Sequence, residues 1–140
     1  MVEAILDDLI PLAGALGVRQ KEAGPDRVVL WMPPSHLAAN HVGSAYAGAT
    51  YTLAELTAGA LAALAGAPEL IPVVVAGTIE HLAPASSVVS WCSVRDHELD
   101  DLLSRWQQDR RLTSTVVAEC SCEDTPVARA TFTYRWLGPR

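Results

Sequence analysis

One acid stands alone in the segment NHVGSAYAGATYTLAEL, residues 40–56. Residues 28–94 contain no Lys, Arg or Asp, and their acids other than Glu55 are Glu69 and Glu80, so Glu55 has no local ion-pair partner. An unpaired carboxylate is strongly unfavourable in a protein interior unless it takes up a proton. Desolvation raises its pKa, as a general base working near neutral pH requires. Glu55 is therefore the first candidate for catalysis, and the alternative is an exposed acid on a solvent-facing stripe.

The residues around Glu55 predict one long helix over residues 44–65. Ser44 can cap the start of this helix and Gly66 its end. A helix that is apolar nearly all round must be enclosed, and its Ala and Gly content lets it lie close to whatever encloses it. We interpret the segment as a buried helix rather than a membrane span, because Glu55 would lie near mid-depth in a bilayer.

Other polar residues lie near this acid or near the helix start. Asn40 and His41 precede the helix, whose free N–H groups and dipole favour negative charge, as an oxyanion requires. Asn40 as a residue that turns the loop, and His41 in a structural or solvent role, remain alternatives. Tyr51 and Thr52 lie four and three residues before Glu55, so either can hydrogen-bond its carboxylate or simply pack.

The remaining elements predict a curved sheet around the long helix. Residues 98–108 carry apolar residues at helical spacing and predict a surface helix that packs through Leu102 and Trp106. The other predicted elements are a helix over residues 2–10 ended by Pro11, a hairpin of strands 18–23 and 27–32, and strands 72–82, 86–94, 112–122 and 127–137. This order is α+β, with mostly antiparallel strands.

Composition narrows the function classes. The 140-residue chain suits a single domain, residues 1–140, and its 50% hydrophobic and 19% charged content argues against disorder. The formal net charge of −6 argues against nucleic acid and anionic membranes as partners. We expect a cytoplasmic protein without a metal site, in which Cys92, Cys120 and Cys122 are buried free thiols. Neither a nucleophilic Ser elbow nor a phosphate-binding Gly-rich loop is present.

Three segments carry a resemblance to a known family: IPLAGALGV (residues 10–18), PPSHLAANHVGSAYAGATYTLAEL (residues 33–56) and GTIEHLAPAS (residues 77–86). They resemble hotdog-fold acyl-CoA thioesterases, nearest the thioesterases of the YiiD C-terminal type and more distantly those of phenylacetate degradation. The resemblance implies a hotdog fold, in which an antiparallel sheet wraps around one central helix.

The resemblance also assigns roles to residues. Glu55 matches the acid that relatives use as nucleophile or general base, and Asn40 matches an Asn that binds water or the thioester. Ala47 and Gly48 match a Gly pair whose backbone N–H groups form the oxyanion hole. The residues expected to contact substrate are His41, Tyr46, Tyr51, Thr52 and His81.

Three positions depart from the family pattern. Tyr46 replaces a frequent His, Val74 replaces a Ser that helps to position water in some relatives, and Ala83 replaces a basic residue that could meet a phosphate. His81 lies where relatives have an aromatic residue, so it is expected in the wall of the acyl pocket or in the core.

The predicted activity is hydrolysis of an acyl-CoA or acyl carrier protein thioester, with coenzyme A as part of the substrate and no other cofactor. The alternatives are a non-catalytic acyl-thioester-binding dimeric module, and a hydratase or dehydratase on the same fold. We expect a homodimer or a dimer of dimers, because the sheet leaves a free edge and relatives build their sites between subunits.

Overall fold

The computed structural model describes residues 10–85 and 88–140. Its helices are α1 (Pro11–Ala15), α2 (Ala47–Ala65) and α3 (Leu102–Gln108), with a short 3-10 helix at His97–Leu99. Its strands are β1 (Arg19–Ala23), β2 (Arg27–Met32), β3 (Ile71–His81), β4 (Val89–Val94), β5 (Thr113–Cys122) and β6 (Thr125–Leu137).

The strands form one antiparallel sheet in the order β1-β2-β4-β5-β6-β3, and α2 packs against β2 to β6. Strand β6 shows how the sequence builds the core. Phe132, Tyr134 and Trp136 alternate toward α2 and are buried, whereas Arg129 and Arg135 are exposed, as the two-residue period of a strand requires. The predicted α+β class and hotdog arrangement are confirmed.

The central helix begins three residues later than predicted. Tyr46, not Ser44, is the N-cap, with extended backbone and no side-chain hydrogen bond to the helix. Ser44 is held in the preceding turn, where its N–H donates to Asn40 Oδ1 over 2.9 Å and its carbonyl accepts from the Asn40 N–H over 2.8 Å. Gly66 does end the helix, and a Cβ there would lie 2.8 Å from the Ala62 carbonyl oxygen.

Two further boundaries differ from the predictions. Pro11 begins α1 instead of ending a helix, because a proline at the first helical position lacks only an N–H that would be unpaired anyway. The helix predicted over residues 2–10 falls almost wholly on residues 1–9, outside the described residues. The predicted surface helix is divided by Asp101, whose φ of 50° interrupts the helical backbone.

The surface helix otherwise packs as predicted. Leu99, Leu102 and Trp106 are buried, and the Arg110 guanidinium lies 4.0 Å from the Trp106 ring centroid. Helix α3 covers one rim of the core, and it lies far from Glu55 in the sequence.

None of the three cysteines forms a disulfide, as predicted, but only Cys120 is buried. Burial raises the pKa of the Cys120 thiol to about 12, so it stays protonated at neutral pH. Cys92 and Cys122 are partly exposed. Cys92 alternates with the buried Trp91 and Ser93 on β4, whereas Cys122 packs at the margin of the core at the end of β5.

The two edges of the sheet differ in length and chemistry. Edge strand β1 has five residues, three of them charged. Edge strand β3 has eleven residues and exposes Ile71, Val73, Val74 and Val75.

Within the described residues, no helix is both long enough and apolar enough to cross a membrane.

Candidate active site on the central helix

Glu55 lies near the middle of α2, half-buried on the accessible stripe of the helix. No ion pair in the described part of the chain involves its carboxylate. Burial raises the Glu55 pKa above its ordinary value, and a hydrogen bond from Tyr134 opposes this rise only in part. The carboxylate is therefore placed to hold or release a proton closer to neutral pH than an exposed glutamate.

Tyr134 is the partner of Glu55 that sequence reasoning missed. Its hydroxyl lies 3.4 Å from both Glu55 Oε1 and the Glu55 backbone carbonyl oxygen. Tyr134 comes from β6, 79 residues later in the chain. The available signal was a single phenol among the inward positions of β6, since a buried tyrosine hydroxyl normally finds a partner.

The two residues expected to hydrogen-bond Glu55 make other contacts. The Thr52 hydroxyl donates to the Gly48 carbonyl over 2.8 Å. The Tyr51 ring packs edge-on against Phe132, with centroids 5.5 Å apart, and its hydroxyl lies against Gly77 of β3. Neither residue hydrogen-bonds the Glu55 carboxylate, because both side chains are engaged on neighbouring backbone or rings.

The start of α2 presents unpaired backbone donors. The N–H groups of Ala47 and Gly48 have no acceptor within the described residues, and the first turn contains no acid. The Tyr46 ring lies over Gly48, so closely that a Cβ on residue 48 would lie 2.6 Å from it. Glycine at this position thus allows the ring to cover one side of the helix start and leaves the N–H groups accessible.

Asn40 organises the turn before the helix. Its Oδ1 accepts hydrogen bonds from the Val42 N–H over 3.0 Å and the Ser44 N–H over 2.9 Å. Its Nδ2 donates no hydrogen bond within the described residues and remains available to a ligand. His41 lies exposed on the same turn.

A cleft of about 500 Å³ joins the helix start to the end of β3. It brings together Asn40, Ala47 and His81 from among the predicted site residues, with Ala83 beside them. Its other lining residues are small or apolar, with Ser44 and Thr50 as further polar groups, and it contains no Lys or Arg. The cleft therefore offers hydrogen-bond donors in apolar surroundings, and His81 lines it rather than the core.

Val74 of β3 lies beside Tyr134, the hydrogen-bond partner of Glu55. It pairs with Tyr134 across β3 and β6, and directly paired residues share one face of a sheet. The position where some relatives carry a Ser is thus beside the Tyr134–Glu55 pair and is apolar here.

Within one chain, the carboxylate and the free donors do not meet. Glu55 follows Gly48 by seven residues, which is a rise of about 10 Å along a helix. A glutamate side chain does not span that distance.

The described residues contain no group of three or more His, Cys, Asp or Glu side chains that could hold a metal ion.

The sheet wrapped around α2 identifies the molecule as a hotdog-fold protein. The chain belongs to the family described as "Domain of unknown function (DUF4442)", which matches residues 1–137. No curated protein shows significant similarity to the chain.

Solved structures with the same fold include thioesterases. Protein PA5026 of Pseudomonas aeruginosa, described as of unknown function and a probable thioesterase, is 27% identical, with a TM-score of 0.86 over 99% of this chain and 94% of that chain. A thioesterase family protein of Silicibacter pomeroyi is 20% identical, with a TM-score of 0.80 over 99% and 96%. Thioesterase HI1161 of Haemophilus influenzae is 18% identical, with a TM-score of 0.75 over 95% and 90%.

Proposed function

We propose that the protein hydrolyses acyl thioesters, of coenzyme A or of an acyl carrier protein, with Glu55 as general base or nucleophile. The observation that carries the proposal is a half-buried carboxylate without a cation, whose pKa burial raises. Desolvation of the carboxylate does not help a purely structural acid. A catalytic base that works near neutral pH, by contrast, needs the raised pKa that desolvation produces. The probable thioesterase from Pseudomonas aeruginosa supports the same reaction class.

In the general-base route, Glu55 takes a proton from water while the water oxygen attacks the thioester carbonyl. The C–S bond then breaks, and the proton passes to the leaving thiolate. In the nucleophilic route, the carboxylate attacks first, the thiolate leaves, and water hydrolyses the resulting mixed anhydride. Both routes need the ionised acid, and both place negative charge on the carbonyl oxygen.

The N–H groups of Ala47 and Gly48 suit that oxyanion. They lie at the positive end of a 19-residue helix, and Ala47 lines the apolar cleft, where donors act more strongly than in water. The Nδ2 group of Asn40 is available to orient water or the thioester, and the Asn40 Oδ1 bonds keep it in place.

The distance between these groups favours a site shared by two copies. Because the acid and the donors lie about 10 Å apart along α2, the donors of one copy and the acid of another are better placed to act on a single carbonyl. A two-fold axis beside β3 would set two α2 helices antiparallel, so that Glu55 of one copy faces Gly48 of the other. The long apolar edge of β3 is the surface that favours such pairing. We therefore propose a homodimer with shared sites.

The deciding experiment is a hydrolysis screen of short, medium, long and aromatic acyl-CoAs with the wild type and Glu55→Gln. Glu55→Gln keeps the shape of the side chain and should lower kcat by roughly 10² to 10⁴ while leaving substrate binding nearly intact. Glu55→Asp, which shortens the reach, should retain part of the activity. Glu69→Gln is the control for loss of an acid elsewhere. Wild-type turnover by Glu55→Gln would sink the proposal.

The shared site has its own test in mixed dimers. Ala47→Pro removes one N–H group at the first helical position, where proline is tolerated and the extended backbone of Tyr46 suits a following proline. Glu55→Gln and Ala47→Pro should each be nearly inactive, and a mixed dimer should regain about half of one wild-type dimer, since one intact site forms. Absence of recovery in a verified mixed dimer would place both groups in one subunit.

A non-catalytic acyl-thioester binder is the second candidate, favoured by the apolar Val74 beside Tyr134 and by Ala83 in the cleft. It predicts acyl-CoA binding without turnover in the screen.

We also propose a closer relationship to thioesterases of the YiiD C-terminal type, which rests on the sequence of residues 33–56.

A further inference from the structure

We propose that Tyr134, with the gap left by Gly59, is the positioning residue that orients the Glu55 carboxylate. The inference rests on the proposed function, since it assigns a role relative to the same acid.

The geometry around Glu55 supports this role. The Tyr134 hydroxyl reaches Glu55 Oε1 and the Glu55 carbonyl oxygen at 3.4 Å each, so one donor is shared between side chain and helix backbone. Tyr134 itself is 2% exposed and held in the sheet, whereas the Glu55 side chain has three rotatable bonds. A rigid donor thus restricts a flexible acid.

Gly59 leaves the space in which the two groups meet. A Cβ on residue 59 would lie 3.3 Å from the Tyr134 hydroxyl oxygen and 3.4 Å from Glu55 Oε1. Alanine, the better helix former, would therefore crowd the Tyr134 hydroxyl and bring a methyl group into contact with Glu55 Oε1. This contact gives a reason for glycine inside a 19-residue helix, where it otherwise weakens the helix.

Tyr134 acts as a donor and not as a second acid or base. Burial, followed by the negative charge of Glu55, raises the Tyr134 pKa far above its ordinary value, so the phenol keeps its proton. On the strands that pack against α2, the buried faces carry the titratable groups Tyr134 and Cys120, and Tyr51 adds a phenol from α2 itself. The charged residues and the histidine of those strands are all exposed: Arg27, Glu80, His81, Glu119, Arg129 and Arg135.

The test is Tyr134→Phe, which keeps the ring and removes the donor. Glu55 titration is followed by NMR of ¹³C-labelled glutamate carboxyls, and kcat and KM are measured across pH with the best acyl-CoA. Since the hydrogen bond lowers the Glu55 pKa, its loss should move the titration and the acid limb of the rate profile to higher pH. Activity at neutral pH should fall roughly threefold to tenfold with KM unchanged.

Two comparisons separate positioning from general destabilisation. Ser93→Ala deletes another fully buried hydroxyl, which donates to the Val117 carbonyl over 2.7 Å, and should leave the Glu55 titration unchanged. Gly59→Ala should disturb the titration without removing any polar group. In the Glu55→Gln background, Tyr134→Phe should have no further effect on the residual rate.

The outcomes distinguish this inference from the proposed function. An active wild type in which Tyr134→Phe changes neither the Glu55 titration nor kcat would overturn the positioning role. A shifted titration in a protein that hydrolyses no thioester would support the Tyr134–Glu55 coupling while defeating the proposed hydrolysis.

Discussion

Two regions of α2 differ in burial and in the charge that they favour. The first turn, at Ala47 and Gly48, is exposed and carries free donors without a side-chain cap or an acid. The middle, at Glu55, is half-buried and carries a negative charge without a cation. Each region lacks what the other supplies, yet about 10 Å of helix separates them. Under the proposed function, the donors of one copy complement the acid of another.

The largest expected effect comes from separating the copies. Val75→Lys places a charge on the exposed apolar stretch of β3, where Val75 is 56% exposed, and should block strand pairing. If the donors of one copy serve the acid of another, the resulting monomer should lose activity by about 10² or more. Light scattering and the acyl-CoA assay measure the two effects.

A matched control is Val94→Lys, at a position 61% exposed at the end of β4. It should leave both assembly and turnover unchanged. A fully active monomer from Val75→Lys would refute the complementarity between copies and return both regions to a single subunit.

The donor region alone is tested by Ala47→Pro in the purified homodimer. Removal of one oxyanion donor typically lowers kcat by about 10² to 10³, and KM should change little because the interaction is made in the transition state. Circular dichroism and thermal melting should be close to wild type, since proline is suited to the first helical position. An unchanged kcat would exclude the Ala47 N–H from the oxyanion site.

The acid region is tested by pH. The folded Glu55 pKa lies above its unfolded value, so activity should fall as pH drops through a value above that of an ordinary glutamate. The same sign makes ionisation unfavourable to folding: the contribution of Glu55 to stability is best below the unfolded pKa and is lost as pH rises through the folded pKa. Glu55→Gln should therefore be as stable as wild type at neutral pH, or more so.

Thermal melts of wild type and Glu55→Gln between pH 4 and pH 8 measure this linkage. The difference in melting temperature should widen in favour of the variant as pH rises across that window. If the difference in melting temperature instead narrowed with rising pH, the folded state would stabilise the ionised carboxylate. That result would contradict the destabilisation that desolvation predicts.

The smallest expected effect on chemistry lies outside both regions. Trp106→Ala removes a side chain that is 6% exposed and should lower the free energy of unfolding by about 3–5 kcal/mol. The kcat of the folded enzyme should remain unchanged, because α3 contacts neither the donors nor Glu55. A strong loss of kcat with stability and dimerisation intact would bring α3 into the site.

Local patterns in the sequence predicted the fold class correctly and offered several candidate site residues. Strand alternation, turn residues and an apolar helix ended by Gly66 are local signals, and each acts over a few residues of backbone geometry. The isolation of Glu55 was also visible, since residues 28–94 contain no Lys or Arg. Resemblance then related the 33–56 segment to thioesterases.

Which groups meet depends on how elements distant in sequence pack together. Tyr134 reaches Glu55 because β6 lies under α2, and Thr52 is bonded to Gly48 although it lies closer to Glu55 in sequence. The helix began at Ala47 because Asn40 holds Ser44 in a turn. Such contacts depend on which strands pair and on how closely Gly59 lets helix and sheet approach, and no local pattern encodes these distances.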